Sequence, residues 1–269
     1  MAGGRVVLIT GAAGGLGAVM TAALIEDGHA VAAVDRNPET LKKLIAAHDA
    51  KHLFPILADV EDVAACAGAV DKTVAHFGRI DGLVNNAGIG MTVVRPDAET
   101  KHPQPEELSA EIWDRFFAVN VRAPLLLTKA ALPRMRKAKW GRIVNNTTSY
   151  RTMHRVLPYG ATKAAFESMS SVWAQQLEGT GITVNVLVPG GPTDTPFISD
   201  AAGWPRDKMY RPAIMGPPIR WLISEAANGF NGRRITAAEW DIALRPDEAA
   251  SKASRDIGWP ELAGKPTWW

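Results

Sequence analysis

The segment RVVLITGAAGGLGAVMTAALIEDGHAVAAVD (5–35) constrains the fold more than any other part of this chain. RVVLIT (5–10) is apolar and largely branched, the pattern of a strand buried on both faces. It runs straight into glycines at 11, 14, 15 and 17. LGAVMTAALIEDG (16–28) then takes helical spacing and stops at a glycine, and AVAAVD (30–35) is a second buried run. Two buried strands joined through a helix cannot form a hairpin. They lie parallel, joined by a right-handed crossover.

The same alternation fills most of the chain. A helix opens at Pro38, and the strands HLFPILAD (52–59) and DGLVNNAG (81–88) flank a helix over 61–77. A long amphipathic segment (106–138) precedes the strand GRIVNNTT (141–148). A helix carrying YGATKAAFESM (159–169) leads to the strand ITVNVLVPG (182–190). The pattern predicts an α/β protein: a doubly wound parallel sheet, Rossmann-like, in three α/β/α layers. With 269 residues, a single domain over 1–240 is expected, followed by a tail (241–269) that packs on the core or on a neighbouring subunit. IGMTVVRPDAETKHPQP (89–105) reads as a long surface loop, and the proline- and glycine-rich stretch 190–217 reads as a lid. Six of the nine tryptophans fall between Trp204 and Trp269, where the rings are expected to close the core.

Composition excludes several classes. A net charge of +2 gives nucleic acid or an anionic membrane little to grip. No apolar run approaches the ~20 residues of a membrane span, and MAGGRVVLITGAAGG reaches its glycines too soon for a signal peptide. Cys66 stands alone, so no intrachain disulfide forms, which suits a cytoplasmic protein. Histidines at 29, 48, 52, 76 and 102 lack metal-ligand spacing, and no metal is expected.

TGAAGGLG (10–17) lies where a strand hands over to a helix. Glycines there let the backbone approach a pyrophosphate, while the helix N-terminus offers unpaired N–H groups and a positive dipole end. Gly11, Gly14, Gly15, Leu16 and Gly17 are therefore candidate dinucleotide contacts. Asp35 ends the second strand, where a carboxylate can bind both adenosine ribose hydroxyls and repel a 2′-phosphate. That favours NAD over NADP, although Arg36 beside it offers a phosphate partner.

TGAAGGLG, Asp59–Val60, NNAG (85–88), Asn120, YGATK (159–163) and PG (189–190) occur in this order, and together they resemble the short-chain dehydrogenase/reductase family from about residue 5 to 237. The resemblance implies an NAD-dependent enzyme that interconverts a secondary alcohol and a ketone. Tyr159 is then the general acid/base, and Lys163, one helical turn on, lowers the phenol's pKa and bonds the nicotinamide ribose. An ordinary phenol titrates near ~10, so two or three units of depression, each ~1.4 kcal/mol, are expected. Asn120 is expected to bend its helix and hold a water in the proton relay. Asp59 and Val60 fall at the adenine edge, and Asn86, Ala87 and Gly88 close over the cofactor. Pro189, Gly190 and Thr193 or Thr195 belong near the carboxamide.

The chain departs from the family at the catalytic hydroxyl. Thirteen residues before the tyrosine stands Asn146, whereas alignment on GRIVNNTTS puts Thr148 in the usual serine's place, with Ser149 as the alternative. Thr148, Ser149, His154 and Tyr159 are the candidate substrate contacts, and Arg151, His154 and Arg155 suggest a small polar or anionic hydroxy compound. Arg233 and Arg234 read as surface charges. The family pattern further implies a homodimer or homotetramer. A non-catalytic dinucleotide-binding sensor or scaffold is the rival reading, but it has no need of Asn120, Tyr159 and Lys163 together.

Overall fold

The computed structural model describes residues 4–263. The chain alternates as read: β1 (Val6–Thr10), α1 (Gly15–Glu26), β2 (Ala30–Asp35), α2 (Pro38–Ala47), β3 (Leu53–Leu57), α3 (Val63–Phe77) and β4 (Gly82–Asn85). Then come α4 (Ala110–Phe117), α5 (Ala123–Ala138), β5 (Gly141–Asn145), α6 (Tyr150–Met153), α7 (Tyr159–Gln176) and β6 (Ile182–Val188). The last elements are α8 (Gly216–Ile223), β7 (Arg233–Thr236), α9 (Pro246–Lys252), β8 (Ser254–Asp256) and α10 (Pro260–Ala263). The eight strands form one sheet in the order β3-β2-β1-β4-β5-β6-β7-β8, parallel except for the antiparallel β7–β8 pair.

Each central strand feeds two cores, because successive side chains point to opposite faces. Val7, Ile9, Val31 and Ala33 join α1, α2 and α8 on one face, while Leu8, Ala32, Val34 and Leu83 join α3 and α5 on the other. This explains why β1 and β2 are apolar at nearly every position instead of alternating. The order of strand addition reverses between the parallel strands β1 and β4, so the loops leaving their C-terminal ends part and leave a crevice.

The long amphipathic segment 106–138 holds two helices joined by a π-helical turn, Ala118–Arg122, which contains Asn120. Pro124 has no N–H to give the carbonyl four residues back, that of Asn120, and the widened turn absorbs the missing bond. The stretch 89–105 is tied down, with Arg95 bonded to Glu107 at 2.9 Å and to the Lys101 carbonyl at 2.6 Å. The stretch 190–217 is also folded. Thr193 and Tyr210 pair as an isolated bridge, and Arg206 reaches the Thr195 and Ile198 carbonyls at 3.0 and 2.7 Å. Beyond residue 240, β8 extends the sheet, and Ala249, Ala250, Ala253 and Ile257 are buried. Among the tryptophans, Trp221 is buried against Phe230 and Trp240, whereas Trp204 is exposed; Trp268 and Trp269 lie outside the described residues.

Candidate active site

The crevice is built by three loop ends bound to one another. The Thr10 hydroxyl accepts the backbone N–H groups of Asn86 and Ala87 at 3.1 and 3.0 Å. The Asn86 amide donates to the Thr10 and Gly11 carbonyls at 3.0 and 3.1 Å, and its oxygen accepts from the Asn146 amide at 2.9 Å. Gly11 and Gly15 adopt φ of +62° and +46°. A Cβ on Gly17 would lie 1.9 Å from the Gly11 carbonyl oxygen, so only glycine allows the loop to close. Gly14 has extended backbone and open space around it, and Leu16 packs on the core.

No side chain caps α1, and no acidic residue occupies its first turn. Its first N–H groups therefore have no side-chain partner from α1 itself, which fits a pyrophosphate. Asp35 is held beside them: its carboxylate accepts the Ala13 and Asn37 N–H groups at 2.9 and 3.0 Å. Arg36 turns to Asp59 at 3.6 Å, and Val60 is buried in the core, which leaves only its backbone as a contact. Pro189 accepts the Ala238 N–H at 3.0 Å, and Gly190 takes φ of +105° against Thr236 and Ala238.

The reactive groups gather on α7 and around it. Lys163 is buried and donates to the Asn146 carbonyl at 2.7 Å. Asn120, wholly buried in the π-turn, accepts the Ile89 N–H at 2.9 Å and donates to Thr162 at 3.1 Å. Gly88 fits between these two groups, since a Cβ there would lie 3.2 Å from the Asn120 oxygen and 3.5 Å from the Lys163 nitrogen. The Thr148 hydroxyl lies close enough to the Tyr159 phenol to favour its ionised form.

Burial pushes that phenol up to about 12, and the neighbouring Thr148 hydroxyl pulls it back only in part. Burial pushes Lys163 down to about 8. The expected depression of Tyr159 is therefore not supplied by the protein alone. The Lys163 nitrogen is 5.7 Å from the ring centroid and directed to Asn146, so desolvation outweighs its charge.

Several expectations are corrected by position. Ser149 is not aimed at Tyr159: its hydroxyl caps α6, accepting the Thr152 N–H at 3.1 Å. His154 ends α6, exposed and 6.2 Å from Trp259, and Arg151 and Arg155 are exposed as well. Thr193 turns back on the Gly191 carbonyl at 3.1 Å, while Thr195 covers the glycine loop, its side chain 3.1 Å from a Cβ placed on Gly15. Arg234 is no surface charge. It is buried, paired with Glu167 at 2.7 Å, and it donates to the Thr148 carbonyl. Thr10 and Asn146 were missed, because ordinary polar residues at strand ends carry no signal until the fold brings those ends together. Among the described residues, no group of three or more His, Cys, Asp or Glu side chains could hold a metal ion, and no helix is long and apolar enough to cross a membrane.

The chain matches the short chain dehydrogenase family model over residues 5–204, and it belongs to that family. It is 36% identical over 267 residues to the 2,5-dichloro-2,5-cyclohexadiene-1,4-diol dehydrogenase of Sphingobium indicum, with 95% of this chain and 96% of the relative covered. It is 35% identical over 190 residues to the D-threitol dehydrogenase of Mycolicibacterium smegmatis, covering 69% of each. Among solved structures it is similar to levodione reductase, with a TM-score of 0.73 and 28% identity over 84% of this chain and 93% of that one. The protein is thus an oxidoreductase of the alcohol/ketone dehydrogenase kind, in a family that uses NAD(H) or NADP(H) and small-molecule substrates.

Proposed function

We propose that this protein is an NAD-dependent dehydrogenase that interconverts a secondary alcohol and a ketone, with Tyr159 as the general acid/base. The observation that carries the reading is the juxtaposition of the Thr148 and Tyr159 hydroxyls beside the buried Lys163, the arrangement needed to grip one substrate oxygen and pass its proton. Hydride acceptance and donation are the chemistry that a bound nicotinamide supplies. Thr148 donates to the substrate oxygen and fixes it against Tyr159. Tyr159 removes the hydroxyl proton in oxidation and returns it in reduction. Lys163 stays charged at neutral pH, favouring the phenolate and offering donors to a ribose. Asn120 holds the π-turn to Ile89 and α7, which keeps Tyr159 and Lys163 in register.

The glycine loop fits the pyrophosphate, Asp35 the adenosine ribose, and Thr195, in preference to Thr193, the carboxamide end. The fixed Asp35 carboxylate and the engagement of Arg36 with Asp59 support NAD over NADP.

A neutral ring diol suits the crevice better than an anionic substrate. Phe197 covers Gly90, where a Cβ would lie 2.6 Å from its ring, and its centroid is 5.8 Å from that of Tyr159. This aromatic wall, the exposure of Arg151 and Arg155, and the full-length likeness to a cyclohexadiene-diol dehydrogenase favour a compact hydroxylated ring. The test is turnover with NAD and NADP side by side, across cyclohexanediols, acyclic sugar alcohols and hydroxy acids. NAD-dependent oxidation of a ring diol, reduced at least ~10²-fold in Tyr159→Phe, is expected. A preference for hydroxy acids, or equal use of NADP, would contradict the substrate and cofactor readings respectively.

A further inference from the structure

Resting on that reading of Thr148 and Tyr159, we propose that the buried Arg234–Glu167 pair is a positioning device that sets the Thr148 peptide, and with it the hydroxyl offered to the substrate, and that it ties this setting to the chain at Gly258. Glu167 lies on α7 one turn beyond Lys163 and two beyond Tyr159, on the same face. Arg234 comes from β7, a different element, and crosses to it. Both side chains are almost fully buried, at 6% and 0% exposure.

Their donors and acceptors are matched. One Arg234 nitrogen spends its two hydrogens on Glu167 Oε2 at 2.7 Å and Thr147 Oγ1 at 3.0 Å. Thr147 in turn donates to the same carboxylate oxygen at 2.6 Å. The second Arg234 nitrogen donates to the Thr148 carbonyl. The guanidinium therefore grips Thr147 and Thr148, two and three residues beyond β5, at the point where Thr148 meets Tyr159.

The other side of the pair faces the C-terminal segment. Glu167 Oε1 accepts the Gly258 N–H at 3.3 Å. The Tyr150 hydroxyl gives its one hydrogen to the Gly258 carbonyl at 2.8 Å, under the Arg234 guanidinium, which lies 4.4 Å from the Tyr150 ring centroid. Trp259 follows, 5.6 Å from Tyr150 and 6.2 Å from His154. Residues 147–150 are thus held between the catalytic helix and the last stretch of chain. A pair that served stability alone would be replaceable by apolar side chains of similar volume, whereas this one also sets a peptide at the reacting centre.

The test is a double-mutant cycle in the full chain. One arm is the paired replacement Glu167→Leu with Arg234→Met, which leaves no buried charge unpartnered. The other arm is Thr148→Ala, and the third combination carries all three substitutions. Thermal midpoint and NADH binding by fluorescence report folding and the cofactor site. The paired replacement is expected to bind NADH as the parent does and to lose kcat by about as much as Thr148→Ala, on the order of 10²-fold. In the Thr148→Ala background it is expected to cost nothing further, and Arg234→Lys with Glu167 kept is expected to restore part of the rate. Independent, multiplying losses, or parental kcat in the paired replacement, would overturn the proposal. Failure of the dehydrogenase reading would look different: the unaltered chain would bind NADH and turn over nothing. Amide exchange then reads one arm of the device directly, since the Gly258 N–H, held by Glu167, must lose protection in the paired replacement; unchanged protection there overturns it.

Discussion

Lys163 carries a charge where the interior disfavours one, and this conflict can be measured. Its folded pKa of about 8 lies below the unfolded 10.5, so folding is penalised wherever the unfolded lysine is protonated and the folded one must be too. The penalty is full below about pH 8 and fades as pH rises toward the unfolded value. Lys163→Met is therefore expected to stabilise the chain at pH 7 by about 2 kcal/mol while abolishing turnover. The gain should shrink between pH 8 and 10.5, which urea unfolding at several pH values would check. Tyr159 shifts the other way, from 10.0 up to about 12, and contributes stability that is present below pH 10 and lost as pH climbs through 12. Residues of this kind were legible by type and spacing, since a tyrosine and a lysine one turn apart share a helix face. The direction of the phenol's shift was not legible, because it depends on burial and on the Asn146 carbonyl that draws the lysine away.

Elements divide according to whether their signals are local. The glycine loop was readable because backbone sterics act within a few residues. The structure sharpens that reading into a contrast between two of its glycines. Gly17→Ala drives a methyl into the Gly11 carbonyl and is expected to weaken NADH binding more than tenfold and destabilise by roughly 2 kcal/mol. Gly14→Ala enters open space on extended backbone and is expected to cost under about 1 kcal/mol, with binding retained. Fluorescence titration and thermal melts of the two variants separate these outcomes. The break between α4 and α5 had a cause in the sequence, Pro124, but amphipathic spacing alone ran through it. Which of Thr193 and Thr195 covers the glycine loop could not be read from PGGPTDT, because it depends on the bridge from Thr193 to Tyr210. The burial of Arg234 was hidden because its partner lies 67 residues away on another element.

At the scale of the molecule, the parallel sheet and its three layers followed from buried runs alternating with helices, a pattern written along the whole chain. The strand beyond residue 240 did not follow, because β8 is three residues long and has no strand-like pattern of its own. Its stability comes from pairing with β7 and from the burial of Ala249, Ala250, Ala253 and Ile257. Ending the chain after Arg245 removes this cover along with the Gly258 contact to Glu167. The melting temperature is expected to fall by ~10 °C, from about 3 kcal/mol of lost burial, and turnover to fall with it. An unchanged melting temperature would mean that the segment adds nothing to the sheet. The central claim, hydride transfer with Tyr159 moving the proton, is tested most directly by following the hydride itself. A cyclohexanediol carrying deuterium on its carbinol carbons is incubated with NAD, and the reduced cofactor is weighed by mass spectrometry. The account predicts one deuterium per reduced nicotinamide with the unaltered chain and none above background with Tyr159→Phe, although both bind NAD. Bound NAD that gains no deuterium from any alcohol offered, or equal transfer by Tyr159→Phe, would contradict it.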